Sequence, residues 1–359
     1  MQPEGTQVRF AGQDVYIGLD VAIKSWKVCI YLGHLFHKRF AQPPSPLVLV
    51  QYLKRNFPGA TYHAVYEAGY FGFWIHDALV ELGVDSMVVN PADVPTSDKE
   101  RRTKTDRVDA AKLARSLANG ELRRLYVPDR VALEDRTLVR TRMAFVRKQT
   151  RCKNQIKALL GFYGVQVPEE TPDRYWTRAY VRWLENISFT QESGTLALKA
   201  LVKELLSLRE TIADLTRRIH TLAQQERYDA PMKLLCTVPG IGSLAAITFL
   251  TEVISIDRFA SLDRLACYVG LVPGEKSSGE VEQDTGLTPR RNAALRYMLI
   301  ECAWKAQRED PALLKAFADY CTRMPKTVAV VHIARKLLSR MRYVLRNNAS
   351  YVMGVLQSA

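Results

Sequence analysis

Val15-Tyr16-Ile17-Gly18-Leu19-Asp20-Val21 is a short apolar run that ends at an acid. A run of this length and composition reads as a buried strand. A carboxylate in such a run is costly to bury without a partner. Working outward, Trp26–Leu32 alternates enough for a second strand and residues 35–40 for a third. A helix over 46–56 follows, then a strand over 62–66 that leads directly into Glu67. Residues 71–83 read as a helix stopped by Gly83, and 85–89 as another strand. Strands mixed with helices in this way predict an α/β domain over residues 14–128.

The same pass places four acids. Asp20 and Glu67 stand at strand ends, and Asp106 and Asp109 lie three apart near the start of a helix running to about Asn119. Four acids so arranged can converge on a pair of divalent ions about 4 Å apart, the arrangement used for phosphoryl transfer. Magnesium favours carboxylate oxygens. Each acid also has a plainer reading, a turn or cap residue, with Asp106 as an N-cap and Asp109 favouring the helix dipole. Arg101, Arg102 and Lys104 just before Asp106 are positioned for phosphates.

The bulk composition points the same way. The chain has 359 residues, 51 Lys and Arg against 37 Asp and Glu, and a net charge of +14. Such a charge selects an acidic polymer as partner, nucleic acid before an anionic membrane. Cys29, Cys152, Cys236, Cys267, Cys302 and Cys321 contain no C-x-x-C pair, which argues against a zinc site and for buried thiols in a reducing compartment. With no signal-like start and no apolar run of about 18 residues, the expectation is a cytoplasmic, nucleoid-associated protein without a membrane role.

Residues 129–228 are expected to be long helices. Over 132–160, Arg136, Arg140, Arg147 and Arg151 recur at spacings of four, seven and four and share one face. They are either a solvated face or a phosphate-tracking stripe, and the scarcity of balancing acids favours the stripe. Leu198, Leu201, Leu205, Leu208, Ile212, Leu215, Ile219 and Leu222 form a heptad seam. It suits a coiled coil between copies or a hairpin packed on the 132–160 helix. Its strictness favours self-association, as a dimer or tetramer.

Residues 229–350 read as a mainly α domain. Two helices joined by Pro239-Gly240-Ile241-Gly242 would form a helix-hairpin-helix, whose Gly240 and Gly242 let backbone approach a phosphate. A basic amphipathic helix over 326–346 carries Lys326, Arg335, Lys336, Arg340, Arg342 and Arg346, facing either nucleic acid or solvent.

Several blocks together resemble a known family. They are Tyr16–Asp20, Tyr66-Glu67-Ala-Gly, Val89-Asn90-Pro91, Lys104-Thr-Asp106-Arg-Val-Asp109, Val238–Gly242, Gly270-Leu-Val-Pro273, Ser277-Ser278-Gly279 and a helix containing Arg296. This set is similar to the DEDD transposases of insertion sequences, the bridge-RNA-guided recombinases related to Piv-type DNA invertases. The resemblance implies a RuvC-like, RNase-H-type first domain with Asp20, Glu67, Asp106 and Asp109 as its magnesium tetrad. It implies a serine nucleophile in the Ser-Ser-Gly block, Ser277 with Ser278 as the alternate, double-stranded DNA as substrate and a guide RNA from the element. Gly286–Asn292 departs from the family run, with Pro289 and Arg290 where Thr or Ser and Lys are common. Arg290, Arg291 and Arg296 are expected phosphate contacts. The rival readings are a RuvC-like structure-specific nuclease using water, and a non-catalytic nucleic-acid-binding assembly protein.

Overall fold

The computed structural model describes residues 10–95, 106–168, 176–278 and 281–353, without the side chains of 106–108, 275–278 and 281–285. The chain divides into two compact units, Met1–Val127 and Pro128–Ala359.

The first unit is a five-stranded mixed sheet in the order β3-β2-β1-β4-β5. Strands β1 (Asp14–Asp20), β2 (Trp26–Leu32) and β3 (Leu35–Gln42) form an antiparallel meander. Strands β4 (Thr61–Glu67) and β5 (Asp85–Val89) run parallel to β1. Parallel neighbours need crossovers, and helices α1 (Pro46–Asn56) and α2 (Trp74–Glu81) lie in the two connections. Ser45 caps α1, its Oγ accepting from the Val48 amide at 3.4 Å, with Pro46 in the first turn where its missing N–H costs nothing. Helix α3 (Asp106–Ala118) packs on β1, β2 and β4. This arrangement is consistent with an RNase-H-like fold.

Strand alternation decides what each face carries. Val15, Ile17 and Leu19 of β1 and Tyr62, Ala64 and Tyr66 of β4 join the core with Leu49 and Leu53 of α1 and Ile75 and Leu79 of α2. The intervening residues turn to the α3 side. There Cys29 packs with Ala110 and Ala114, and Val65 with Leu113. Gly18 is the point of closest approach. A Cβ at Gly18 would overlap the Ala110 carbonyl oxygen and lie 2.5 Å from the Ala114 amide nitrogen.

At the amino ends of the parallel strands, His63 bridges Asp14 at 3.1 Å and Asp85 at 3.0 Å, and Arg124 reaches Asp85 at 2.7 Å. Partial burial pushes the Asp85 carboxyl up, but the hydrogen bonds from Arg124 and His63 outweigh it and hold it below the usual carboxylate value. A depressed folded value contributes stability that is present above the unfolded value and is lost as pH falls through the folded one. Asp85→Asn is therefore expected to flatten the acid side of the stability profile, below about pH 4. Urea melts of both proteins between pH 6 and pH 2 check this. Equal slopes on the acid side would remove Asp85 from the account.

In the second unit, α4 (Arg130–Phe162) and α6 (Glu192–Ala223) pack along each other. Helix α5 (Arg178–Asn186), capped by Thr177, packs on α6. Leu198, Leu205 and Leu208 of the heptad seam are buried with Cys152, Ile156 and Leu160 of α4 and with Tyr180 and Leu184 of α5. Ile219 and Leu222 are buried in a second core with Val139. The seam is thus seated on helices of its own chain, which is the hairpin alternative of the sequence reading.

The remaining helices are α7 (Glu226–Cys236), α8 (Ser243–Val253), α9 (Leu262–Val269), α10 (Ala293–Glu309), α11 (Pro311–Cys321) and α12 (Lys326–Arg346). Between α9 and α10 lies an antiparallel hairpin, β6 (Pro273–Ser278) and β7 (Val281–Leu287), which the sequence reading did not anticipate. Of the six thiols, Cys29 and Cys152 are buried as expected, whereas Cys236 and Cys267 are exposed, on helix positions away from the core. Among the described residues no helix is long and apolar enough to cross a membrane.

Candidate active site

The two strand-end acids are brought together by register. Leu19 of β1 pairs with Tyr66 of β4, so Asp20 and Glu67 follow side by side at the carboxyl ends of adjacent parallel strands. Open α/β sheets place their ligand crevices at this end. Alternation puts both acids on the face covered by α3, opposite to Leu19 and Tyr66. From α3, Asp109 reaches the same place. Asp20, Glu67 and Asp109 all line one cleft of about 220 Å³, with Ala68, Gly69, Tyr70 and Phe71 on its rim and Leu113 beside Asp109.

The rim loop is tied down from below. The buried Tyr66 hydroxyl donates to the Gly72 carbonyl at 2.9 Å and accepts from the His76 amide at 3.3 Å. Burial raises the Tyr66 phenol well above its usual range, so it stays a neutral donor. Tyr70 is 87% exposed at the cleft edge. Asp106 begins α3, one turn before Asp109, but its side chain lies outside the described residues. Arg101, Arg102 and Lys104 also lie outside them.

Carboxylates of this kind suit a hard, oxygen-seeking divalent cation. Among the described residues no three potential ligands are already gathered around one ion position. The donor chemistry of the cleft fits such an ion, with Asp20, Glu67 and Asp109 as the described residues that would hold it.

In the second unit the two serines lie on β6, Ser277 paired with Glu282 and Ser278 with Val281. Their side chains lie outside the described residues.

The expected nucleic-acid contacts separate into two groups. Arg136 donates from Nε to the Thr251 carbonyl at 2.9 Å. Arg140 grips the Glu252 carboxylate with Nε at 2.6 Å and Nη2 at 2.7 Å. Half of the arginine stripe is therefore engaged within the protein, because α8 buries a carboxylate that needs cations. Arg147 and Arg151 are exposed, and Arg147 borders a groove of about 570 Å³ with Tyr297 and Glu301.

Gly240 has a φ of +81°, and a Cβ there would lie 2.7 Å from the Cys302 carbonyl oxygen. Its amide donates to Glu309 Oε2 at 2.8 Å. The glycine thus serves close packing on α10, and its N–H is already used. Gly242 is the N-cap of α8 and has no side chain to cap it. Arg290 and Arg291 are exposed, while half-buried Arg296 donates to the Thr288 carbonyl. In the last helix, Arg335 pairs with Asp263 at 2.5 Å, Arg340 with Asp310 at 2.8 Å, and Arg342 donates to the Ala260 carbonyl at 3.2 Å.

Sequence reasoning missed Glu252. The signal was present: one acid in Ser243–Val253, a helical stretch whose other positions from Ala246 onward are all buried. An acid in such a run requires a cation partner.

Residues 17–164 match the family model of the DEDD transposases of the IS110 type, described as Transposase, and residues 232–318 match the one described as Transposase IS116/IS110/IS902 family. A putative transposase of Sinorhizobium fredii, y4qE, is 34% identical over 239 residues, covering 67% of this chain and 57% of that protein. A second from the same organism, y4rJ, is 32% identical over 301 residues, covering 76% of this chain and 74% of the relative. The transposase for insertion sequence element IS1111A of Coxiella burnetii is 26% identical over 222 residues, covering 62% and 59%. The chain belongs to the IS116/IS110/IS902 family of transposases, whose DEDD domain implies divalent metal use. It spans little more than half the length of two of these three relatives.

Proposed function

We propose that this protein is an insertion-sequence transposase that cuts and exchanges DNA strands through a serine–DNA intermediate. The observation that carries the reading is the convergence of Asp20, Glu67 and Asp109 on one cleft at the carboxyl ends of β1 and β4. Asp20, Glu67, Asp106 and Asp109 would hold magnesium, two ions per site, which when bound supplies positive charge to a phosphate oxygen.

The nucleophile is Ser277, with Ser278 as the alternate. Its oxygen bonds to phosphorus as the bond from phosphorus to the departing deoxyribose oxygen breaks. The hydroxyl proton leaves the serine, and the departing oxygen takes one up. The phosphodiester is exchanged rather than hydrolysed, so the strand can be rejoined without another energy source. No histidine lies near these serines in sequence, and the reading assigns their activation to positive charge gathered around the phosphate.

The protein acts as an oligomer on double-stranded DNA. A structured RNA from the element selects the sites by base pairing, and the +14 charge serves backbone contacts that carry no sequence information. Retention of full site choice by protein stripped of RNA would remove the guide from this account.

The experiment is excision in cells, with the gene and its native flanking DNA on a plasmid and amplification across the junction of the excised circle. Wild type is expected to give circles, and Asp20→Ala and Ser277→Ala to give none. If Ser277→Ala still gives circles and Ser278→Ala does not, the nucleophile is Ser278. If both serine variants and the double variant cut DNA while Asp20→Ala does not, the protein is a RuvC-like nuclease using water. Full activity in Asp20→Ala removes the carboxylate site altogether.

A further inference from the structure

The serine hairpin is fastened at its base, and Glu252 lies at the centre of the fastening. The Glu252 side chain is fully buried in α8. One carboxylate oxygen accepts from Arg140 Nε at 2.6 Å. The other accepts from Arg140 Nη2 and from Asn292 Nδ2, both at 2.7 Å. The Glu252 carbonyl oxygen accepts from the Tyr268 hydroxyl at 3.0 Å. One residue thus links α4, α8, α9 and the segment that leaves β7.

Asn292 is the exit post of the hairpin. Its amide donates to the Tyr268 carbonyl at 3.0 Å, and its Oδ1 caps α10 by accepting from the Leu295 amide at 3.1 Å. Between β7 and Asn292, the Thr288 amide donates to the Val272 carbonyl at 3.0 Å, which closes the two strands at their base. The Thr288 carbonyl in turn accepts from Arg296. On the entry side, Gly270 ends α9 with a φ of +85°, and a Cβ there would lie 2.5 Å from both Arg291 Cβ and Arg296 Nη2. Both legs are therefore pressed against the start of α10, whose cap is held by Glu252.

A bidentate arginine–carboxylate pair fixes direction as well as distance, because the planar fork admits one orientation. Burying the carboxylate removes the solvated alternatives that loosen exposed pairs. Nothing in α10 requires this: an N-cap needs only the Asn292 oxygen, and the amide nitrogen is left over to reach Glu252.

We propose that Glu252, with Arg140 and Asn292, is a positioning residue for strand cleavage, holding the β6–β7 hairpin at a fixed orientation on the long helix α4. The inference rests on the reading of Ser277 or Ser278 as nucleophile.

Asn292→Asp tests it, because aspartate caps a helix as well as asparagine but places a second carboxylate against Glu252. Asn292→Ser keeps the cap without that charge. Arg140→Lys keeps the cation and loses the fork, and it serves if Asn292→Asp does not fold. Two quantities are read on the full-length proteins. One is hydrogen exchange of peptides covering 271–292. The other is the rate at which a nicked suicide DNA substrate becomes covalently attached to the protein.

Asn292→Asp and Arg140→Lys are expected to speed exchange in these peptides at least tenfold and to slow attachment at least tenfold. DNA affinity should stay within twofold of wild type, and Asn292→Ser should fall between. Unchanged exchange in folded Asn292→Asp and Arg140→Lys overturns the tether. Faster exchange with an unchanged attachment rate overturns the positioning role. If wild type itself forms no serine–DNA adduct, the serine reading fails and the catalytic role falls with it, while exchange still decides the tether.

Discussion

Gly18→Ala is expected to unseat α3 and to abolish DNA excision, although Gly18 is buried beneath α3 and bears no reactive group. The added methyl would overlap the Ala110 carbonyl oxygen and sit 2.5 Å from the Ala114 amide nitrogen. Carbon contacts settle at about 3.5–4.0 Å, and both obstacles are backbone, so no side chain can rotate away. The helix must retreat from β1. As it does, Ala110 and Ala114 lose Cys29, and Leu113 loses Val65 and Val89. Overpacking that forces side-chain and backbone shifts costs about 1–3 kcal/mol, and a clash with helix backbone places this case at the upper end or above.

Against a total stability of about 5–15 kcal/mol, such a loss lowers the melting temperature of the first unit by about 10 °C. The activity loss is larger than the stability loss, because the retreat carries Asp109 away from Asp20 and Glu67. The two effects are separable by temperature. At 20 °C, where most Gly18→Ala protein is folded, circles should still be absent. Circular dichroism melts of the purified variant and junction amplification from cells grown at 20 °C read both. A wild-type melt with wild-type circles would show that α3 does not need this contact.

Much of the first unit was legible because its signals are local. The apolar run Val15–Leu19 closed by Asp20, the alternation in Trp26–Leu32 and the run that leads into Glu67 give strands and strand ends directly. That both acids end strands was therefore readable, whereas the parallel pairing and register that set Asp20 beside Glu67 were not. The tightness at Gly18 was not legible. A glycine in a strand signals close approach, but which helix approaches, and at which turn, is a fact of packing.

In the second unit the long helices were legible, and their partners were not. The spacing of Arg136 and Arg140 puts them on one face without saying that Glu252, 112 residues from Arg140, waits there. The leucine seam likewise specifies a buried stripe, and a helix of the same chain or of another copy satisfies it equally. The hairpin was illegible for a different reason. Pro273-Gly-Glu-Lys-Ser-Ser and Val281-Glu-Gln-Asp-Thr-Gly-Leu lack alternating apolar residues. Their pairing rests on backbone hydrogen bonds and on the fastening at the base.

Asp310→Ala is expected to destabilise the second unit by about 4 kcal/mol, from the loss of a buried pair and a helix cap together. Asp310 is 1% exposed. Its Oδ1 accepts from the Ala312 and Leu313 amides at 2.8 and 3.1 Å, capping α11. Its Oδ2 lies 2.8 Å from Arg340 Nη1 and accepts from the Tyr351 hydroxyl at 2.8 Å. The Arg340 guanidinium in turn stacks over the Tyr351 ring, 5.1 Å from its centroid, and the Tyr351 amide donates to Thr237 Oγ1 at 2.8 Å.

Alanine strands the mostly buried guanidinium, frees two helix amides and lets the chain after α12 leave the turn before α8. An asparagine in its place keeps a capping oxygen and a partner for Tyr351 but not the charge, so Asp310→Asn should cost about half as much. The ratio matters more than either value. Equal losses assign the effect to the Arg340 pair, and a negligible loss in Asp310→Asn assigns it to the cap. Urea melts with an unchanged slope measure this as a shift in midpoint. The cost falls on the same turn whose Gly240 amide is held by Glu309, the neighbour of Asp310. Loosening there also loosens α10, and with α10 the base of the serine hairpin. Asp310→Ala should therefore reduce excision even below its melting temperature, while the carboxylate cleft of the first unit is untouched.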